Sequence, residues 1–201
     1  AVRDIEVISE NEIWYATFGM GLFLHNPGTF TTLNVKDGLD VGGMTFDLVK
    51  HGDKLYIATK NGLFLYQNNK IKKHYTKNDG LPSNMILDLD MDSSGNLWIA
   101  TANGLSKLSG SVFKNYSRKD GLPSKLVTSV HVDDRDDSRI WMGSERSGLT
   151  KFDKKGFYTY AVQDGLPSNS IRDITQSDDG TLIIACYKAG VAKFDLSLIH
   201  I

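Results

Sequence analysis

The sequence holds a single cysteine, Cys186, among 201 residues. No internal disulfide can staple the chain, no thiol cluster can hold a metal, and cysteine usage fits a reducing or an oxidising compartment equally. Neither sign of charge dominates: 23 Lys and Arg stand against 24 Asp and Glu, a formal net charge of -1. A global field that would draw in nucleic acid or an anionic membrane is therefore missing. No apolar run approaches the roughly 20 residues that span a bilayer, and no basic, apolar, small-residue leader opens the chain. Catalytic constellations are missing too. His25, His51, His74, His131 and His200 are scattered, with no His-Glu-x-x-His pair and no Gly-x-Ser-x-Gly elbow. What remains is a 40% hydrophobic, globular composition that allows a substantial core.

What is present is a repeat. Asp-Gly-Leu begins at Asp37, Asp79, Asp120 and Asp164, spacings of 42, 41 and 44 residues. A second marker keeps step: Ile13-Trp14-Tyr15-Ala16-Thr17, Leu55-Tyr56-Ile57-Ala58-Thr59, Leu97-Trp98-Ile99-Ala100-Thr101, Ile140-Trp141-Met142-Gly143-Ser144 and Leu182-Ile183-Ile184-Ala185-Cys186. All three tryptophans fill one slot. A third marker, Gly followed by Leu or Val, falls at Gly21, Gly62, Gly104, Gly148 and Gly190. A fixed period of this length dictates architecture before any single motif is read.

Each copy contains short apolar runs separated by Gly, Asn, Asp and Ser, a strand and turn pattern without room for a helix. In the third copy the runs are 86–91, 97–101, 105–108 and 112–116, with Asp92-Ser93-Ser94-Gly95-Asn96 supplying a hairpin turn. Four antiparallel strands in about 42 residues make one propeller blade. A lone sheet that is apolar on both faces cannot hide them, so copies must pack around an axis. The Trp, Tyr and Ile of the second strand are the expected plugs between blades, and Lys70, Lys72 and Lys73 guard an outer edge. The predicted fold is all-β: about five four-stranded blades over 1–36, 37–78, 79–119, 120–163 and 164–195, the last incomplete. These form an open arc of a larger ring. Residues 196–201 do not continue the blade and read as a non-native tail.

Three motifs in combination, Asn61-Gly62-Leu63, Asp79-Gly80-Leu81-Pro82-Ser83-Asn84 and Leu97-Trp98-Ile99-Ala100-Thr101, resemble the two-component regulator propeller repeat. Asp164 to Asn169 repeats the middle motif, and the likeness runs from Arg3 to Asp195. The resemblance implies a seven-bladed ring in the periplasmic or extracellular sensor region of a hybrid histidine kinase, a class that responds to polysaccharide fragments. It also implies partners: the remaining blades, the kinase of the parent protein, and a parent that can act as a homodimer. The first linker departs from the pattern, reading Asp37-Gly38-Leu39-Asp40 without the proline.

A residue repeated in every blade builds the blade, so the Asp-Gly-Leu-Pro linkers are read as geometry: Gly for a positive φ, Leu for the core, Pro for the exit. Candidate ligand contacts are the positions that vary on the rim shared by the linkers and the loops after each second strand, the side where propellers usually bind ligands. They are Lys60, Asn61, Asn84, Asn103, Lys125, Glu145, Arg146, Asn169, Tyr187 and Lys188, with Phe18 beside them. An aromatic face next to Asn, Lys and Arg donors suits a sugar or an acidic sugar. Asp4, Asp47, Asp88 and Asp173 recur one place before an apolar residue of the inner strand, with Ser129 in the fourth copy. They could ring a cation, but a carboxylate hydrogen-bonded between blades is the expected role. Asp133-Asp134-Arg135-Asp136-Asp137 lacks the glycine and glutamate of an EF-hand and is expected to be a solvated turn. Cys186 shares a small-residue slot with Thr17, Thr59, Thr101 and Ser144.

The expected function is thus non-enzymatic sensing of a carbohydrate, relayed to a kinase outside this chain, with no cofactor. Two other classes stand beside it: a metal-dependent propeller lyase similar to virginiamycin B lyase, which needs a His and Glu pair at the channel mouth, and a secreted interaction scaffold.

Overall fold

The computed structural model describes residues 1–195, so the 196–201 tail lies outside the described residues. The first sheet contains β1 (Val2–Ser9), β2 (Glu12–Thr17), β3 (Gly21–Asn26) and β4 (Thr29–Leu33). The second contains β5 (Thr45–His51), β6 (Lys54–Thr59), β7 (Gly62–Gln67) and β8 (Lys70–Tyr75). The third contains β9 (Ile86–Met91), β10 (Leu97–Thr101), β11 (Gly104–Ser109) and β12 (Val112–Tyr116). The fourth contains β13 (Val127–Val132), β14 (Ile140–Ser144), β15 (Leu149–Asp153) and β16 (Gly156–Tyr160). The fifth contains β17 (Ile171–Gln176), β18 (Leu182–Cys186) and β19 (Gly190–Phe194). Every sheet is an antiparallel meander in chain order, and among the described residues no ladder joins one sheet to another apart from the isolated Phe18–Met44 bridge. The first strands of successive sheets lie side by side around the axis. Each sheet is a separate blade, and the chain is a stretch of β-propeller.

Turn chemistry sets the meander. Asn68 and Asn69, at φ 51° and 59°, make the tight turn between β7 and β8, which only residues tolerant of left-handed backbone can occupy. Gly104, at φ 116°, sits where an added Cβ would stand 2.6 Å from the Tyr116 carbonyl oxygen. The Thr slot before these glycines does more than fill space. Thr59 and Thr101 hydroxyls donate to the Gly62 and Gly104 carbonyls at 2.7 and 2.8 Å, closing the loop. Cys186 takes the same buried position.

The linkers are single 3-10 turns. Asp37, Asp79, Asp120 and Asp164 each accept the backbone N–H three residues earlier, from Asn34, Thr76, Ser117 and Ala161, at 2.8–2.9 Å. Gly38, Gly80, Gly121 and Gly165 follow at φ 85–110°, and Leu39, Leu81, Leu122 and Leu166 drop into the core.

The core is divided among the junctions between blades. Trp14 of β2 packs with Leu48, Leu55 and Phe64 of the second blade, and Tyr56 of β6 packs with Leu89, Leu97 and Leu108 of the third. Trp98 of β10 meets Val130, Val132 and Ile140 of the fourth, and Trp141 of β14 meets Ile174, Leu182 and Ile184 of the fifth. Each linker leucine sits in the same junction. The second-strand aromatics are plugs, as their constant slot implied. Lys70, Lys72 and Lys73 are exposed along β8, the outer edge of its sheet.

A buried indole needs an acceptor, and each tryptophan has a carboxylate. Trp14 Nε1 donates to Glu12 at 3.0 Å, Trp98 Nε1 to Asp92 at 3.3 Å, and Trp141 Nε1 to Asp133 at 3.0 Å. Here the sequence expectation needs correction. Asp133 is not part of a solvated turn: it is fully buried and also accepts from Arg139 Nη1 at 2.9 Å and the Arg135 backbone at 3.1 Å. The physical reason is the Trp141 indole, which pulls the first aspartate of the acidic run inward while Asp134, Asp136 and Asp137 stay exposed.

Trp141→Ala empties the fourth junction and is expected to cost about 3–5 kcal/mol. Asp133→Ala, which strands a buried indole N–H, is expected to cost about 1–3 kcal/mol. Urea denaturation followed by tryptophan fluorescence and circular dichroism checks both, and equal, small effects would contradict the assignment.

Candidate functional site

The inner strands position the site through one recurring irregularity. In every blade the pairing of first and second strand skips one residue just after the inner strand begins: between Val2 and Asp4, Thr45 and Asp47, Ile86 and Asp88, Val127 and Ser129, and Ile171 and Asp173. The skipped residues are Arg3, Phe46, Leu87, Thr128 and Arg172. A bulge of this kind redirects one side chain out of the ladder. All five line a single cavity of about 500 Å³ at the channel mouth, with Asp4, Asp47, Asp88, Asp173, Met85, Leu126 and Glu145. The frame is constant and the ring it carries is not, the arrangement by which a repeat protein varies its ligand without varying its fold.

Three of the channel aspartates clasp the next blade. Asp4 accepts the Leu48 N–H at 3.0 Å, Asp47 that of Leu89 at 2.8 Å, and Asp88 that of Val130 at 2.7 Å. Glu6 and Asp90 repeat the contact two residues on, to Lys50 and Val132 at 3.2 and 2.7 Å. At the fourth junction Ser129 is too short, and among the described residues its buried hydroxyl has no partner. Thr128 substitutes by donating to the Ile171 carbonyl at 2.7 Å. The clasp between blades was the expected role of these carboxylates. Among the described residues, no group of His, Cys, Asp and Glu is placed to hold a metal.

Burial disfavours charge on this ring. It raises the Asp4 carboxyl above its ordinary range and pushes Asp88 up to about 8. Asp47 is held well above the usual range, first by burial and then by the neighbouring Asp88 and Asp4. Burial thus favours the protonated form of Asp88 well above the ordinary carboxylate range.

The rim residues singled out by sequence divide into two groups. Asn84 and Asn169 fasten the linkers, their Oδ1 atoms accepting from Lys77 and Val162 N–H, both at 2.8 Å. Asn61 and Asn103 reach back to the preceding linker, donating to Asp40 Oδ1 and the Pro82 carbonyl, both at 3.3 Å. Lys60, Lys125 and Arg146 are exposed on the rim, and Lys188, at φ 57°, lies 5.3 Å from the Tyr187 ring centre. Of the ten, only Glu145 lines the cavity. The bulge residues escaped sequence reasoning because a bulge leaves no residue-type signature: Arg, Phe, Leu, Thr and Arg share nothing but their place before the recurring Asp or Ser.

The architecture defines a class, the β-propellers. Residues 80–103 match the family described as two component regulator propeller. A search of curated proteins finds no match. Among solved structures, the chain is similar to the extracellular domain of the putative hybrid two component system BT3049 from B. thetaiotaomicron. The TM-score is 0.84 at 20% identity, over 98% of this chain and 28% of that one. The corresponding domain of BT4673 from the same organism gives 0.77 at 18% identity, over 99% and 27%. Virginiamycin B lyase from Staphylococcus aureus gives 0.74 at 14%, over 98% and 71%. The chain therefore spans little more than a quarter of the two extracellular domains, and an enzyme shares the fold with them.

The Asp88 proton sets a pH dependence. Its carboxyl titrates near 3.8 when unfolded and near 8 when folded, so its contribution to stability is complete below about pH 4 and is lost as pH rises towards 8. Asp88→Asn keeps an acceptor for Val130 and removes the titration. Thermal melts at pH 5 and pH 9 should show the variant gaining on the native protein at the higher pH; parallel melting curves would contradict this.

Proposed function

We propose that the chain is a ligand-sensing stretch of propeller from the extracellular or periplasmic region of a two-component receptor, which further blades complete. The observation that carries this reading is the match of residues 80–103 to the two component regulator propeller. The channel mouth supports it, because a rigid frame presents a ring of varied side chains around a cavity of about 500 Å³, within the range of small-ligand sites. Phe46, Leu87 and Met85 offer apolar contact while Glu145, Asp173 and the two arginines offer hydrogen bonds, a mixture that suits the CH faces and hydroxyls of a sugar. Binding across the mouth touches several blades at once and biases their packing, which is how occupancy would pass to a kinase beyond this chain.

The lyase reading asks for a His and Glu pair at the mouth. Glu145 is there, but the described histidines are engaged elsewhere. His25 packs on Phe30, His74 stacks on Phe64 at 3.9 Å, His131 lies 3.3 Å from Asp90, and His51 ends β5 on the opposite rim. The scaffold reading has no feature of its own in the cavity.

Binding of the chain to an array of plant and host oligosaccharides tests the proposal, with Glu145→Ala and Arg146→Ala as site and rim variants. Selective binding that falls about tenfold or more in Glu145→Ala is expected, consistent with loss of a charged hydrogen bond. Correctly folded protein that binds none of the glycans would overturn it.

A further inference from the structure

The two ends of the arc carry the same device. In the first blade the bulge residue Arg3 lies over the Phe18 ring, its guanidinium carbon 5.2 Å from the ring centre. In the fifth, Arg172 lies over Tyr187 at 4.4 Å. Phe18 and Tyr187 hold equivalent positions, the first residue after the second strand, where the intervening blades have Lys60, Ala102 and Glu145. Stacking on an aromatic face fixes a guanidinium's orientation while leaving its N–H groups free. Among the described residues neither arginine has a hydrogen bond or ion pair with protein, whereas Arg139 is held by Asp133 and Asp136. Both face the cavity whose other charged groups are carboxylates.

The neighbours narrow the ligand. Asp4, Asp47 and Asp88 are already accepting backbone N–H groups, and burial disfavours charge on all three. Glu145, and the second carboxylate oxygen of Asp173, whose Oδ1 accepts the adjacent Ile174 N–H at 2.9 Å, remain on the cavity wall as acceptors for donors such as hydroxyls. A dense polyanion would meet these carboxylates and be repelled. A ligand fits better if it carries one planar anionic group for a fork of N–H donors, hydroxyls for the acids, and an apolar face for Phe46 and Leu87.

We propose that Arg3 and Arg172 are paired carboxylate receptors, and that the site takes a uronate-bearing oligosaccharide in preference to its neutral counterpart. This rests on the sugar-sensing reading above and specifies its substrate class.

Three galactose-based probes separate the outcomes: a galactan oligosaccharide carrying a single terminal galacturonate, the neutral galactan oligosaccharide and its singly sulfated counterpart, titrated calorimetrically into the chain. The singly uronated probe is expected to bind at least about tenfold tighter than the neutral probe, with affinity falling as salt rises. Arg3→Gln and Arg172→Gln should each remove most of that preference, while Lys72→Gln on the outer edge should not. Circular dichroism and melting curves on every variant show whether the fold is intact. Equal binding of acidic and neutral probes, or acid preference surviving in a folded Arg3→Gln, Arg172→Gln double variant, overturns the proposal and leaves sugar sensing standing. Preference for the sulfated probe overturns the carboxylate assignment alone, and binding to none of the three removes the proposal together with the reading beneath it.

Discussion

Each blade of this protein is hidden by the next. A four-stranded sheet with apolar side chains on both faces has no stable existence in water, and the chain satisfies it by stacking sheets radially rather than by covering them with helices. The decisive contact is made by the second strand, whose Trp14, Tyr56, Trp98 and Trp141 cross the junction into the following blade. A carboxylate beneath it, from Asp4, Asp47 or Asp88, fixes the height of one blade against another through a backbone N–H. Hydrophobic burial supplies the driving force and the clasp supplies the register. The same logic leaves the terminal faces open: Val2, Ile5 and Val7 on one side and Val191 on the other are more than half exposed.

That constraint also creates the site. Inner strands must crowd together at the axis, and each relieves the crowding with a bulge that turns one side chain into the channel. The clasping aspartate comes directly after it, so the ring that joins the blades and the ring of cavity-lining side chains are adjacent layers of one assembly. Burial that raises the Asp88 carboxyl is a by-product of the clasp, and it disfavours negative charge at the mouth. Packing and recognition are for this reason not separable by region, only by residue.

The fold was legible in the sequence because its determinants recur. Asp-Gly-Leu at a steady interval reports the linker, and the Trp slot reports the junction, since tight turns and large plugs tolerate few residue types. The role of the inner-strand aspartates was legible for the same reason. The site was largely hidden. Asn84 and Asn169 looked like rim donors, but in the folded protein their Oδ1 atoms close the linker turns. Nothing in the sequence singles out Arg3 and Arg172, because a bulge is a property of pairing between two strands and neither strand alone records it. Asp133 was misread because an acidic run appears uniformly hydrophilic until the position of the Trp141 indole is known.

Native-state hydrogen exchange on Trp98→Ala tests the central claim most directly, since it reports opening blade by blade. If burial by the neighbour holds each sheet, protection should fall together in β9–β12 and β13–β16 while β1–β4 keeps its own. Loss confined to the sheet that carries the substitution would contradict the account.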